Sequence, residues 1–182
     1  QGWRVATAVR QSLIPGAGNG RFTEEAVAAR TQMSVKPIVP VASLSSLAHV
    51  PADSVLTFAS ADDLERYVSL NESEGGYRRE EVLSVFEHFL WSLDGARGFL
   101  NTCTWSMNHA DDAAGGLNVA FAERALEGGA AIVGEAIGDI APGVELRNNY
   151  REFVMPAFYT RFCREHGFKD VRTAVLEAVD GA

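Results

Sequence analysis

The sequence is poor in cysteine: only Cys103 and Cys163 occur in 182 residues. That excludes a disulfide-rich secreted scaffold and a zinc cluster ligated by cysteines. Two free thiols fit a reducing intracellular compartment, nucleus or cytoplasm. Long apolar runs are also missing. The run at 130–133 stops at Gly134 and Glu135, far short of the ~20 apolar residues a bilayer span needs, so no membrane partner is expected. Basic charge is scarce: 16 Lys and Arg stand against 24 Asp and Glu, for a net charge of -8. This is the wrong sign for a general nucleic-acid binder. It favours encounter with basic partners such as lysine-rich peptides. The four histidines, at 49, 88, 109 and 166, lack metal-ligand spacing, so no metal site is expected. No Gly-x-Ser-x-Gly elbow occurs, which removes support for a Ser-His-Asp hydrolase. The chain begins at Gln1 rather than Met and reads as a trimmed one.

What is present is enough for a packed core. Hydrophobic residues make up 47% of the chain, and this length buries a core without staples. Residues 5–9, 55–58, 117–122 and 130–137 read as short strands. Residues 35–41 are β-branched but hold Pro37 and Pro40, so an edge or irregular strand is expected there. Residues 11–22 and 139–146 read as turn-rich segments. Ser60 followed by acidic residues predicts a helix to Val68, and 71–76 reads as a loop. Val82, Val85, Phe86, Phe89 and Leu93 have helical spacing within a predicted helix over 78–93. Further helices are predicted over 155–166, closed by Gly167, and over 171–179. Many short strands with helices in the middle and at the end predict a β-rich α+β fold.

Three stretches could carry chemistry. Gly16, Gly18 and Gly20 alternate in the early loop, freeing backbone for close approach to a ligand. The spacing is not the dinucleotide fingerprint, whose third glycine comes later, and no phosphate-loop lysine follows. Asn108 and His109 lie mid-chain, and Tyr150 follows a Pro-Gly turn. Each stretch alone also reads as ordinary structure: a glycine turn, a hydrogen-bonded pair, a half-buried tyrosine.

In their order, the three resemble the SET-domain methyltransferase family. Residues 9–23 are similar to that family's opening strand and glycine loop. Asn108-His109 followed by Asn118 resembles its Asn-His … Asn motif. Residues 135–150 are similar to its closing segment, which ends in Glu-Leu-x-x-x-Tyr, here Glu145-Leu146 through Tyr150. Ala110 stands where the family has Ser, no Cys or Pro follows, and 111–116 is an enlarged loop. A second placement of the middle motif over 99–103 exists. The Asn108 placement is preferred because a strand then starts sensibly after Asn118. The family's flanking zinc elements are absent.

The resemblance implies a SET-like α+β fold of short strands and small sheets, with a helical insertion and C-terminal helices. The expected layout is a catalytic domain over 1–155, with the insertion at about 60–95, and a helical extension over 156–182. It implies a protein-lysine methyltransferase that takes a methyl group from S-adenosylmethionine, leaves S-adenosylhomocysteine, and acts on a basic protein such as a histone tail or on a non-histone protein. Ala17, Gly18, Asn19, Asn108 and His109 would bind the cofactor, and Tyr150 would be catalytic. Trp105, Phe153 and Tyr159 would line the lysine channel, with core packing as the competing role for all three. A silent binding module or a small-molecule methyltransferase on the same fold are the alternatives.

Overall fold

The computed structural model describes residues 2–103, 106–112 and 115–181. The first strands are β1 (Thr7–Gln11), β2 (Asn19–Thr23), β3 (Gln32–Pro40) and β4 (Val55–Phe58). Helices α1 (Ala61–Leu70) and α2 (Arg79–Phe89) follow. Then come β5 (Gly98–Asn101), β6 (Asn108–His109), β7 (Val119–Leu126), β8 (Gly129–Ala136) and β9 (Glu145–Asn148), and finally α3 (Ala157–His166) and α4 (Val171–Asp180). The fold is α+β, with short strands, small mixed sheets and helices at the end, as the sequence predicts.

The chain divides into two compact units, Gln1–Pro37 with Cys103–Tyr150, and Ile38–Thr102 with Arg151–Ala182. The helical segment near 60–95 and the C-terminal helices therefore fall in one unit.

The first unit holds a four-stranded sheet in the order β1-β2-β9-β6, with β6 parallel to β9 and the other pairs antiparallel. It also holds the long β7–β8 hairpin, against which the first part of β3 pairs antiparallel. Val27, Met33, Met107, Val119, Ala136, Ile140 and Leu146 form its apolar core. Leu146 is the inward residue of β9, next to Glu145 and Arg147 on the opposite face, as strand alternation requires.

In the second unit the last three residues of β3 pair parallel with β4, and β4 pairs antiparallel with β5. Phe58, Phe86 and Phe162 meet edge to face in its core, with Leu64, Val68, Leu90 and Leu100 around them. Ser60 starts α1 through a capping box. Its hydroxyl accepts from Asp63 N–H, while the Asp63 carboxylate accepts from the Ser60 and Ala59 amides. Ser60→Ala is expected to cost about 1 kcal/mol, read as a lower urea midpoint with an unchanged slope. Gly167, in the left-handed region at φ 75, closes α3 as predicted.

Several boundaries differ from the sequence reading. The segment read as a loop at 71–76 continues α1 as a π-helical turn, Asn71–Gly75, ending at Gly76. Side chains sustain it: Asn71 donates to Tyr67 O and Ser73 to Ser69 O. The second helix stops at Phe89, because Trp91 exchanges both backbone hydrogen bonds with Phe99. β2 and β9 form where turns were read. Strand pairing decided both, against weak local preference. The edge or irregular strand expected around Pro37 and Pro40 is β3: it is no edge, since it pairs with β8 and with β4, but it shifts register between Gln32 and Ser34 and ends at Pro40.

Candidate functional site

The glycine loop joins β1 to β2. Pairing from Thr7↔Thr23 to Gln11↔Asn19 leaves the residues between to turn the chain. Ile14-Pro15-Gly16-Ala17 makes the tight bend: Ala17 N–H donates to Ile14 O at 3.2 Å, and Gly16 has φ +78. Proline before a positive-φ glycine is the chemistry of a type II turn. Gly18 has φ +69, and its carbonyl accepts from Ser12 N–H at 2.8 Å. A Cβ built on Gly16 or Gly18 meets nothing within 4 Å. Their glycines thus serve backbone conformation, and the loop fronts open space.

Glu145 holds this loop from beneath. It opens β9 and is only 3% exposed. Its Oε1 accepts from Ser12 Oγ at 2.6 Å and Asn108 Nδ2 at 2.8 Å. Its Oε2 accepts from Leu13 N–H at 3.1 Å and Arg147 Nη2 at 2.7 Å. Asn108 also donates to Asn19 O at 3.2 Å. One carboxylate therefore joins β1's exit, the loop, β6 and β9. Burial opposes its ionisation, but the hydrogen bonds from Ser12, Arg147, Asn108 and Leu13 outweigh burial and hold its pKa below the ordinary glutamate value. Gly20 is glycine for a different reason from its neighbours: a Cβ there would lie 2.1 Å from Glu145 Oε1.

The second constellation is His109 with Tyr150. The Tyr150 N–H donates to His109 Nδ1 at 3.0 Å. A neutral ring accepting there carries its proton on Nε2. That nitrogen lies 3.0 Å from Asp111 Oδ1, close enough for an ion pair when the ring is charged but without hydrogen-bond alignment. The His109 and Tyr150 rings sit 5.6 Å apart. The Tyr150 hydroxyl donates to Met107 O at 2.8 Å, and burial pushes its pKa up to about 12. Asn118 stitches β9 in place: its amide donates to Glu145 O, and its side-chain oxygen accepts from Arg147 N–H.

The residues singled out from the sequence fall into two groups. Ala17, Gly18, Asn19, Asn108, His109 and Tyr150 all lie on or beside the β1-β2-β9-β6 sheet. Asn19 touches Asn108 directly, and His109 touches Tyr150. Phe153 and Tyr159 lie in the second unit. Tyr159 is 0% exposed within the apolar core, and its hydroxyl donates to Phe86 O at 2.7 Å. This is the core-packing role given beside the channel role for it. Phe153 is 7% exposed and packs on Trp91 with ring centres 5.6 Å apart. Trp105 lies outside the described residues. Among the described residues no group of three or more His, Cys, Asp or Glu is placed to hold a metal ion.

The sequence reading missed Ser12 and Arg147 as members of the network, and named Asn118 and Glu145 only as parts of the middle and closing motifs. A signal was available: opposite charges at 145 and 147 share one face of a strand. The fit to a nucleotide-linked amino-acid ligand is mixed. The open, positive-φ backbone at Gly16 and Gly18 can receive an extended ligand end. The Asn108 amide and the His109 Nδ1 atom are already engaged within the protein, so these two residues would offer such a ligand mainly backbone groups.

No protein-family model and no curated protein sequence matches the chain. Solved structures do resemble it. The Chaetomium thermophilum Polycomb Repressive Complex 2 in an autoinhibited conformation bound to S-adenosylmethionine is 16% identical, with a TM-score of 0.54, over 90% of this chain and 17% of that one. Its apo autoinhibited state is 18% identical, TM-score 0.56, over 90% and 17%. A humanized mutant bound to an inhibitor is 18% identical, TM-score 0.55, over 87% and 16%. The chain spans about a sixth of the length of those chains. At such identity the likeness speaks for fold alone: the chain shares the α+β, SET-like fold of these structures, as its motifs suggested.

Proposed function

We propose that this protein transfers a methyl group from S-adenosylmethionine to the ε-amine of a lysine in a protein substrate, a histone tail or another basic segment. The observation that carries this reading is that the glycine loop, Asn108-His109 and Tyr150 lie on or beside one small sheet, with Glu145 tying the loop to Asn108 and His109 bonded to Tyr150. A structural neighbour bound to S-adenosylmethionine supports the same reading. Bound here, that cofactor would supply an electrophilic methyl group on a sulfonium.

The chain's own residues then have three tasks. The backbone of Ala17, Gly18 and Asn19, with the edge at Asn108 and His109, holds the donor. Tyr150 orients the acceptor amine. With its pKa pushed up to about 12 it stays a neutral phenol near neutral pH, so it is not the base that removes the lysine proton. Its hydrogen is directed at Met107 O, so in this reading the oxygen acts toward the substrate as an acceptor of an N–H. Accepting that bond turns the nitrogen lone pair toward the methyl group, and alignment is the main demand of a direct displacement. The lysine itself must lose a proton from a reference pKa of about 10.4, favoured by a dry channel and a nearby positive charge. The net charge of -8 assists encounter with a cationic substrate.

A second reading, a silent SET-like binding module, is favoured by the internal engagement of Asn108 and His109. One experiment separates the two. The protein is incubated with labelled methyl donor, core histones and lysate proteins, and modified residues are mapped by mass spectrometry. Donor binding by calorimetry is measured beside it. Methylated lysine supports the enzyme. Donor binding without transfer supports the module, and absence of both binding and transfer overturns the enzyme.

A further inference from the structure

The two cysteines occupy opposite environments. Cys163 is 3% exposed in the apolar core of the second unit, and burial pushes its thiol up to about 12. A thiol held so firmly protonated is inert. Cys103 is half-buried, and Lys36 Nζ lies 2.8 Å from its sulfur. Lys36 is itself unusual: on β3, paired across from Ile132, it is 0% exposed. Lysine is almost never fully buried without a partner. Cationic surroundings with partial access are what make a cysteine reactive.

We propose that Cys103 and Lys36 form an oxidant-sensitive pair, in which a peroxide converts the contact into a covalent sulfur–nitrogen bond. The steps balance. The Cys103 sulfur attacks one peroxide oxygen, the O–O bond breaks, and one water leaves after protonation. The sulfur, oxidised by two electrons, is now a sulfenic acid, and the peroxide is reduced. The Lys36 amine attacks this sulfur, the S–O bond breaks, and a second water leaves with an amine proton. The net change is loss of two hydrogens. The bond joins β3 to the segment that runs on toward Asn108 and His109. It needs neither the methyl donor nor the proposed activity.

The test uses the folded protein. It is exposed to one equivalent of hydrogen peroxide, quenched, digested without reductant and mapped by mass spectrometry. The expected product is a Lys36–Cys103 peptide pair lighter by two hydrogens than its parts and separated by dithiothreitol, with Cys163 unchanged. In parallel, iodoacetamide should label Cys103 at least roughly tenfold faster than Cys163, and Lys36→Met should slow that labelling. Should Lys36→Met fail to fold, the wild-type map decides alone. Oxidised Cys103 with Lys36 unlinked, or Cys103 still reduced after Cys163 has reacted, overturns the proposal.

Discussion

Tyr150→Phe is expected to slow methyl transfer to a lysine substrate by at least roughly 100-fold, the usual effect of removing one precisely placed hydroxyl from a reacting centre. Donor binding and the thermal midpoint should change little, because the backbone N–H of residue 150 that reaches His109 is retained. The phenyl ring keeps its packing against His109 and loses the bond to Met107 O. Initial rates with labelled donor, beside calorimetric binding, provide the measurement. A variant that methylates at the wild-type rate removes Tyr150 from the mechanism. A variant that no longer binds donor assigns the residue to structure.

Glu145→Ala is expected to destabilise the protein by about 3 kcal/mol, since it strips the partner from a mostly buried Arg147 guanidinium. It also leaves the Ser12, Leu13 and Asn108 donors without their shared acceptor. That is a large part of a typical domain stability of about 5–15 kcal/mol. Gly20→Ala should give a loss of the same order by another route, because the new methyl group occupies the place of Oε1. Gly18→Ala, at a site open to solvent, should cost only about 1–2 kcal/mol for its left-handed backbone. Urea midpoints rank the three. The acid limb gives an independent check. Glu145 has its folded pKa below the ordinary value of 4.5, so its contribution is complete above that pH and is lost as pH falls through the lowered pKa. The wild type should therefore weaken below about pH 4.5 more steeply than Glu145→Gln. Parallel acid limbs would refute the clamp.

Local signals made much of the chain legible. The capping box at Ser60–Asp63, the Val82, Val85 and Phe86 part of the α2 face and the glycine end of α3 appear where short-range chemistry predicts them, whereas Phe89, read as part of that face, is 59% exposed and Leu93 lies beyond the helix. The Pro15-Gly16 turn was likewise readable. Strands β2, β6 and β9 were not, because each is short and gains its hydrogen bonds from partners distant in sequence, such as Asn108↔Arg147. Tyr159 shows the same limit on the site: an aromatic near a suspected channel and an aromatic in a core have the same sequence signature.

By itself the order of residues determined which chemistry the chain carries: a loop able to take positive φ, an amide–imidazole pair, a late phenol and an acidic balance. These are properties of side chains and local backbone, and they survive without a fold. Only the tertiary structure decided what those groups do to one another. It turned Glu145 into the common acceptor of the loop and β6, gave Gly20 its steric reason, saturated Asn108 internally, and set Lys36 against Cys103. Each of these contacts spans dozens of residues along the chain, and the free energy that forms it comes from burying strands together rather than from any local preference.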